Sequence, residues 1–378
     1  MSDLINKPNL ARDFQLRLLT TVSVLALLTS ITMRSAKAAD EDTDRPAVWI
    51  ELGGQFDHVG GQGEPFAPDF LNAYSNSSVL QKITPLQAQN PPPLSFAENG
   101  GISFQPEDGD WVFAVSVNFG RSSNFKHVDH QTGRIFDEEL NGSHYITSIE
   151  KFADTQVHRR ESHAIIDFSA GKDLGLGLFG GKGSSTLSFG VRFAQFTSKE
   201  IFNLRARPDL RLTYATFPPP YDLRFPRAFY HTFYATGHAS RSFRGVGPSL
   251  SWSGDTPFVG NPQGGQITFD WGGNVAVLFG KQKATVSHEE SAHYRRAKYA
   301  ITTVYQHPPA GHGGAHSAIV PNIGGFAGAT WRIQNFKVSA GYRADFFFGA
   351  IDGGIDARKS ENLGFYGPFA TVSVGLGG

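Results

Sequence analysis

Five histidines, His288, His293, His307, His312 and His316, form the densest imidazole cluster in the 378-residue chain. Neutral imidazole is a ligand for zinc or copper. The linking segment PPAGHGGA is too flexible to preorganise a ligand set, and no carboxylate follows at close spacing, so the reading is a solvated His-rich loop and no metal site. Gly175-Leu176-Gly177-Leu178-Phe179-Gly180 satisfies G-x-G-x-x-G, with Lys182 close behind. A nucleotide loop of that kind needs a helix after it, whereas the next segment alternates like a strand, so a Gly-rich turn is expected. His127, Asp129, His130, His163 and Asp167 could supply a carboxylate and an imidazole for hydrolysis, but their spacing matches no catalytic arrangement. No catalytic residue and no cofactor are expected.

Composition narrows the field further. Without Cys there is no disulfide, thiolate zinc site, iron–sulfur cluster or cysteine nucleophile. Lys plus Arg and Asp plus Glu both number 34, so no basic excess points to nucleic acid. The 43 Gly and 48 aromatic residues, beside only 18% charged residues, favour strands and turns over helices. Residues 18–33, LLTTVSVLALLTSITM, form an uncharged, mostly apolar run preceded by basic residues and followed by Ala36-Lys37-Ala38. The layout is that of a secretory signal peptide over residues 1–38. The remaining 39–378 then carry 29 basic and 32 acidic residues and form a single domain.

The elements that position the polar residues are alternating strands. In 111–119, WVFAVSVNF, Trp111, Phe113, Val115, Val117 and Phe119 share one face, opposite Val112, Ala114, Ser116 and Asn118. The pattern returns in 267–279 and 336–348, and it suits strands with lipid outside and a polar lumen. Ten strands are drawn at about 47–56, 94–104, 111–121, 161–171, 186–199, 241–252, 266–281, 319–333, 336–348 and 364–376. Eight or twelve stay open. The odd links are long (57–93, 122–160, 200–240, 282–318, 349–363) and the even ones shorter (105–110, 172–185, 253–265, 334–335). Loops gather at one end and turns at the other, as in an all-β, transmembrane, antiparallel up-and-down β-barrel. Trp49, Trp111, Trp252 and Trp331 all fall at the turn end, where an aromatic girdle belongs, with Trp271 a little deeper. Glu51, Asp167, Arg192, Asp270, Asn274, Lys337, Arg343 and Asp345 are assigned to the lumen. They either line a wet path or close it as a network. The segment 57–93, with a helix-compatible piece at 70–80 and Pro91-Pro92-Pro93, could fold over or into the lumen.

Gly245-Val246-Gly247-Pro248, Val275-Ala276-Val277-Leu278-Phe279-Gly280 and Gly364-Phe365-Tyr366-Gly367-Pro368-Phe369 resemble the Legionella-type major outer membrane protein family over roughly the C-terminal third. Ser249 stands where that family has Arg, and the ending VGLGG lacks the terminal aromatic that outer-membrane barrels commonly present to the assembly machinery. The resemblance implies a pore-forming outer-membrane barrel that passes small hydrophilic solutes or ions, with outer-membrane lipid, lipopolysaccharide and the barrel assembly machinery as partners. Homo-oligomerisation stays open. The other expectation is a structural or adhesive barrel with a closed lumen and interacting loops.

Overall fold

In a computed structural model the protein is all-β, with no helix among the described residues, which are 48–61, 63–66, 94–106, 110–134, 138–140, 143–145, 150–174, 183–207, 211–216, 224–261, 263–296 and 302–376. The expected signal peptide, the piece at 70–80, Pro91-Pro92-Pro93 and the glycine run 175–180 lie outside them.

Fourteen strands follow in order: β1 Val48–Gly60, β2 Leu94–Phe104, β3 Trp111–Arg134, β4 Glu138–Leu140, β5 Ser143–Tyr145, β6 Glu150–Asp173, β7 Ser184–Arg207, β8 Arg211–Thr216, β9 Arg224–Asn261, β10 Gly265–Arg296, β11 Thr302–Ala310, β12 Gly313–Ile333, β13 Phe336–Asp352 and β14 Ser360–Leu376. Ten of them, β1, β2, β3, β6, β7, β9, β10, β12, β13 and β14, pair antiparallel in succession. The circle closes where β14 meets β1, Val48 opposite Leu376 and Gly60 opposite Gly364. Closure leaves no unpaired edge, the condition under which a sheet can sit in hydrocarbon. The four extra strands decorate the loop end: β8 extends β9, β11 extends β10, and β4 and β5 form a separate hairpin.

Expected strands and observed ones coincide at 94–104 and differ most on the tall side of the barrel. The stretch expected as a link at 253–265 is strand down to a short turn, since β9 and β10 stay paired until Asn261 meets Gly265. β6, β7, β9 and β10 also run well past their expected loop-side ends.

The outer face carries the large apolar residues, among them Phe113, Phe189, Val191, Val277, Phe279, Tyr342 and Val372, all exposed. The inner face was expected to be polar, and there the structure differs. Phe196, Phe243 and Phe347 are inward and at most 1% exposed, within a cluster that includes Val59, Leu278, Val320, Ile351 and Phe365. A second inner cluster lies nearer the loops and contains Phe66, Val157, Phe202, Leu204, Phe233, Val286 and Ile355. The cause is geometric: a barrel only slightly wider than eight strands is filled by its own side chains. Packing a ring such as Phe196 there is worth roughly 1.5–3 kcal/mol.

Candidate functional site

Alternation fixes which side chains enter the lumen. On β1, Leu52 and Phe56 are exposed on the outer wall, so Trp49, Glu51, Gln55 and Asp57 point in. On β13, Tyr342 and Phe346 point out, so Lys337, Arg343 and Asp345 point in.

At the turn end, Lys337 and Arg332 lie over the ring of Trp49, with the Lys337 Nζ 4.0 Å from the ring centre. This corrects the girdle assignment of Trp49. It shares its parity with Glu51, so it cannot sit on the outer wall while Glu51 faces the lumen. Trp111, Trp252 and Trp331 are exposed on the outer wall, and Trp252 meets Trp271 edge to face at 5.0 Å. Glu51 accepts a hydrogen bond from Ser373 at 3.2 Å, and Asp270 accepts from Thr268 at 2.7 Å and from Thr330.

The next layer converges on Arg192, in the middle of β7. Its guanidinium grips Asp167 through two parallel bonds of 2.7 and 2.8 Å, donates to Asn274 at 2.7 Å and to Asn322, and lies 3.6 Å from Asp345. Asn274 also donates to Asp345 at 3.4 Å. Three of the eight expected lumen residues, Asp167, Asn274 and Asp345, thus meet on a fourth, Arg192, and Asn322 completes the group. Asn322 could have been found from its inward parity on β12, but a lone Asn among glycines carries little signal. Arg343 stands apart from Asp345, its guanidinium carbon between the rings of Phe369 (5.1 Å) and Phe326 (5.6 Å). His163 contacts Asn118 at 3.1 Å and Asp57 at 3.5 Å, with its ring against Phe365 at 3.9 Å. Asp167 is taken up by Arg192, and His127, exposed on the outer wall, pairs with Asp154 at 2.6 Å. The five residues weighed for hydrolysis therefore form no common site.

Above the Phe layer two more inward arginines hold two chain segments inside the barrel. Arg159 binds Glu161 and donates to the carbonyl of Gly61 at 3.0 Å. Arg241 pairs with Glu200 at 2.8 Å and donates to the carbonyls of Gly353 and Gly354 at 3.3 and 3.2 Å. The two segments touch each other through the Glu64 amide and the Gly353 carbonyl at 2.9 Å. The stretch following β1 thus turns into the lumen as far as Phe66, which stacks on Phe202 at 4.2 Å. Two of the clustered histidines serve the same docking. His312 contacts the Ile355 carbonyl and Asp352, both at 2.9 Å, and His288 contacts Asp356 at 2.6 Å and Glu290 at 3.1 Å. Among the described residues no three His, Asp or Glu side chains converge as a metal set. Several buried polar atoms of this layer have no protein partner: Arg159 Nε and Nη1, Glu161 Oε2, Glu200 Oε1 and Arg241 Nε. Buried polar atoms of that kind call for water.

No family model matches the chain, and no curated protein matches it. Among solved structures it is similar to the toluene transporter TodX of P. putida, at 8% identity over 88% of this chain and 91% of that one, with a TM-score of 0.17. It is likewise similar to a TodX deltaS2S3 mutant, a monoaromatic hydrocarbon channel, at 9% identity and a TM-score of 0.17. At such scores the barrel of this chain stands on its own strand pairings.

Proposed function

We propose that the protein is an outer-membrane pore-forming barrel for small hydrophilic solutes or ions, present here in its closed state, and that it has no enzymatic role. The observation that carries this reading is the way the lumen is shut. The upper plug is held by Arg159 and Arg241 through backbone carbonyls of segments that are not strands, in a layer whose orphan polar atoms require hydration. A plug fixed by exchangeable hydrogen bonds and, among the described residues, only two buried apolar side chains, Phe66 and Ile355, can leave, whereas a continuous apolar core cannot. The resemblance of Gly245 to Pro248, Val275 to Gly280 and Gly364 to Phe369 to the Legionella-type family points the same way, as does the apolar outer band, which belongs in an outer membrane.

Planar-bilayer recording tests it. The unmodified protein is expected to give rare, small steps, and Arg241→Gln, which loosens the grip on Gly353 and Gly354, is expected to raise the open fraction several-fold. A permanently closed structural barrel is the second reading, favoured by the fully buried Phe196, Phe243 and Phe347. Silence from both forms at equal insertion would establish it.

A further inference from the structure

Where the apolar outer band ends toward the loops, the wall changes character around only half of its circumference. On β3 the outward residues Trp111, Phe113, Val115 and Val117 lead up to Arg121, and on β10 Val275, Val277 and Phe279 lead up to Lys281 and Lys283. On β9 Arg244 sits directly above outward Val246 and Leu250. β6 and β7 add Arg160 and Lys199 to the same face. All six cations are exposed, and among the described residues none of them forms an ion pair.

Their register makes the arrangement costly. Arg160 is directly opposite Lys199, and Arg244 is directly opposite Lys281. Ser240, opposite Lys199, and Ser242, opposite Lys283, are consecutive outward residues of β9, so cations on both sides flank a pair of hydroxyls. Like charges facing each other across a strand pair destabilise a sheet, the more so beside hydrocarbon. The outward acid nearest the stripe is Glu98 on β2, opposite Phe119 and diagonal to Arg121, with which it forms no ion pair. Asp129, Asp154 and Glu289 lie farther toward the loops, and among the described residues no outward carboxylate stands beside the Arg160–Lys199 or Arg244–Lys281 pairs. β12, β13, β14, β1 and β2 carry no outward Lys or Arg at all. Neighbouring strands are about 4.8 Å apart, so a stripe across five of them spans about 20 Å, enough for a headgroup with more than one anionic group.

We infer that this stripe binds a multiply phosphorylated lipid headgroup of the leaflet nearer the loops, whose acyl chains lie on the apolar band beneath. The inference rests on the membrane reading above. A free phosphate would have no use for the adjoining apolar band, whereas a lipid uses both. Each cation beside an anionic lipid surface contributes a factor of roughly five in affinity, so removing two predicts a loss of about thirtyfold.

The test folds the full chain into detergent micelles and reads binding of diphosphoryl lipid A, phosphatidylcholine and inorganic phosphate by native mass spectrometry. The unmodified chain should retain diphosphoryl lipid A and neither of the others. Arg160→Gln with Lys199→Gln, and independently Arg244→Gln with Lys281→Gln, should lower that retention about thirtyfold while heat-modifiable gel mobility shows the barrel intact. Equal retention by folded variants overturns the inference alone, and so does competition by inorganic phosphate as effective as that by the lipid. A chain that stays in water and never inserts into bilayers overturns the membrane reading and the stripe with it.

Discussion

The barrel wall is built from two unequal arcs. β3, β6, β7, β9 and β10 run from 24 to 38 residues, while β12, β13, β14, β1 and β2 run from 11 to 21. A strand of about 9–11 residues suffices to cross a hydrocarbon core, so the tall strands are more than twice that length, while the low arc falls to it at β1 and β2. Height has a consequence for the inner face. Once the low arc ends, the upper inner surface of the tall arc faces no opposite wall. It is nonetheless apolar there, with Val157, Phe202, Leu204, Phe233, Ala235 and Val286. What covers it comes from the low arc: Phe66, beyond the end of β1, and Ile355, beyond the end of β13, are the members of that cluster that lie outside the tall strands. The plug is therefore a lid that the short side lays against the long side. Outside, the same asymmetry puts the cationic stripe on the tall arc alone.

The strongest test of this division is the residue that joins the arcs. Arg192 and its partner Asp167 belong to the tall arc, and Asn322 and Asp345 to the low one. Arg192→Ala leaves Asp167 and Asp345 facing each other without their shared cation. Breaking a buried pair in this way costs about 3–5 kcal/mol. Urea unfolding from micelles should show a drop of that size. A drop under about 1 kcal/mol, the size of an exposed pair, would mean that the arcs are not coupled through this cation.

The lid itself is the next target. Ile355→Ala removes a buried side chain from the seam between lid and tall wall, where aliphatic truncation costs about 2 kcal/mol at the low end of its range because water can enter the loop end. Protease cleavage within 353–359 should become faster while the barrel keeps its gel mobility. Loss of mobility together with faster cleavage would show instead that lid and wall unfold as one unit.

The asymmetry also explains what the sequence could and could not disclose. Strands such as 111–119 are legible because along the apolar band the outward residues are large and apolar and the inward ones small or polar. Higher on the tall arc the contrast reverses. On β7, Val191 faces out below, but above it Lys199 and Asn203 face out while Phe202 and Leu204 face in. A reading tuned to one phase ends the strand where the phase inverts, as it did near 199 and 281. The triple Phe346-Phe347-Phe348 hides its one inward ring in the same way, since a run of like residues has no alternation to read. Charges were easier. Asp167, Arg192, Asn274 and Asp345 were placed inside by parity alone, but that they meet at one point depends on barrel tilt and stagger, which no single strand encodes.

Trp49 offers the smallest and sharpest probe, because one residue distinguishes the two faces of β1. Aromatic character and position near the strand's turn end suit a girdle equally well, so only parity with Glu51 and contact with Lys337 place it inside. Trp49→Leu and Lys337→Met, made singly and together, form a cycle in which an inward Trp49 gives a coupling of about 0.5–2 kcal/mol, the worth of a cation over an aromatic face. Each single change will have its own cost, from lost packing or altered hydration, but the coupling isolates the contact between the two side chains. A girdle Trp49 would lie across the wall from the Lys337 ammonium, and its coupling would fall within the error of the cycle. The β1–β14 register would then be off by one residue, which turns every β1 side chain to the other face. Glu51 and Asp57 would be driven onto the apolar outer wall and Leu52 and Phe56 into the lumen, an exchange that the outer band could not sustain.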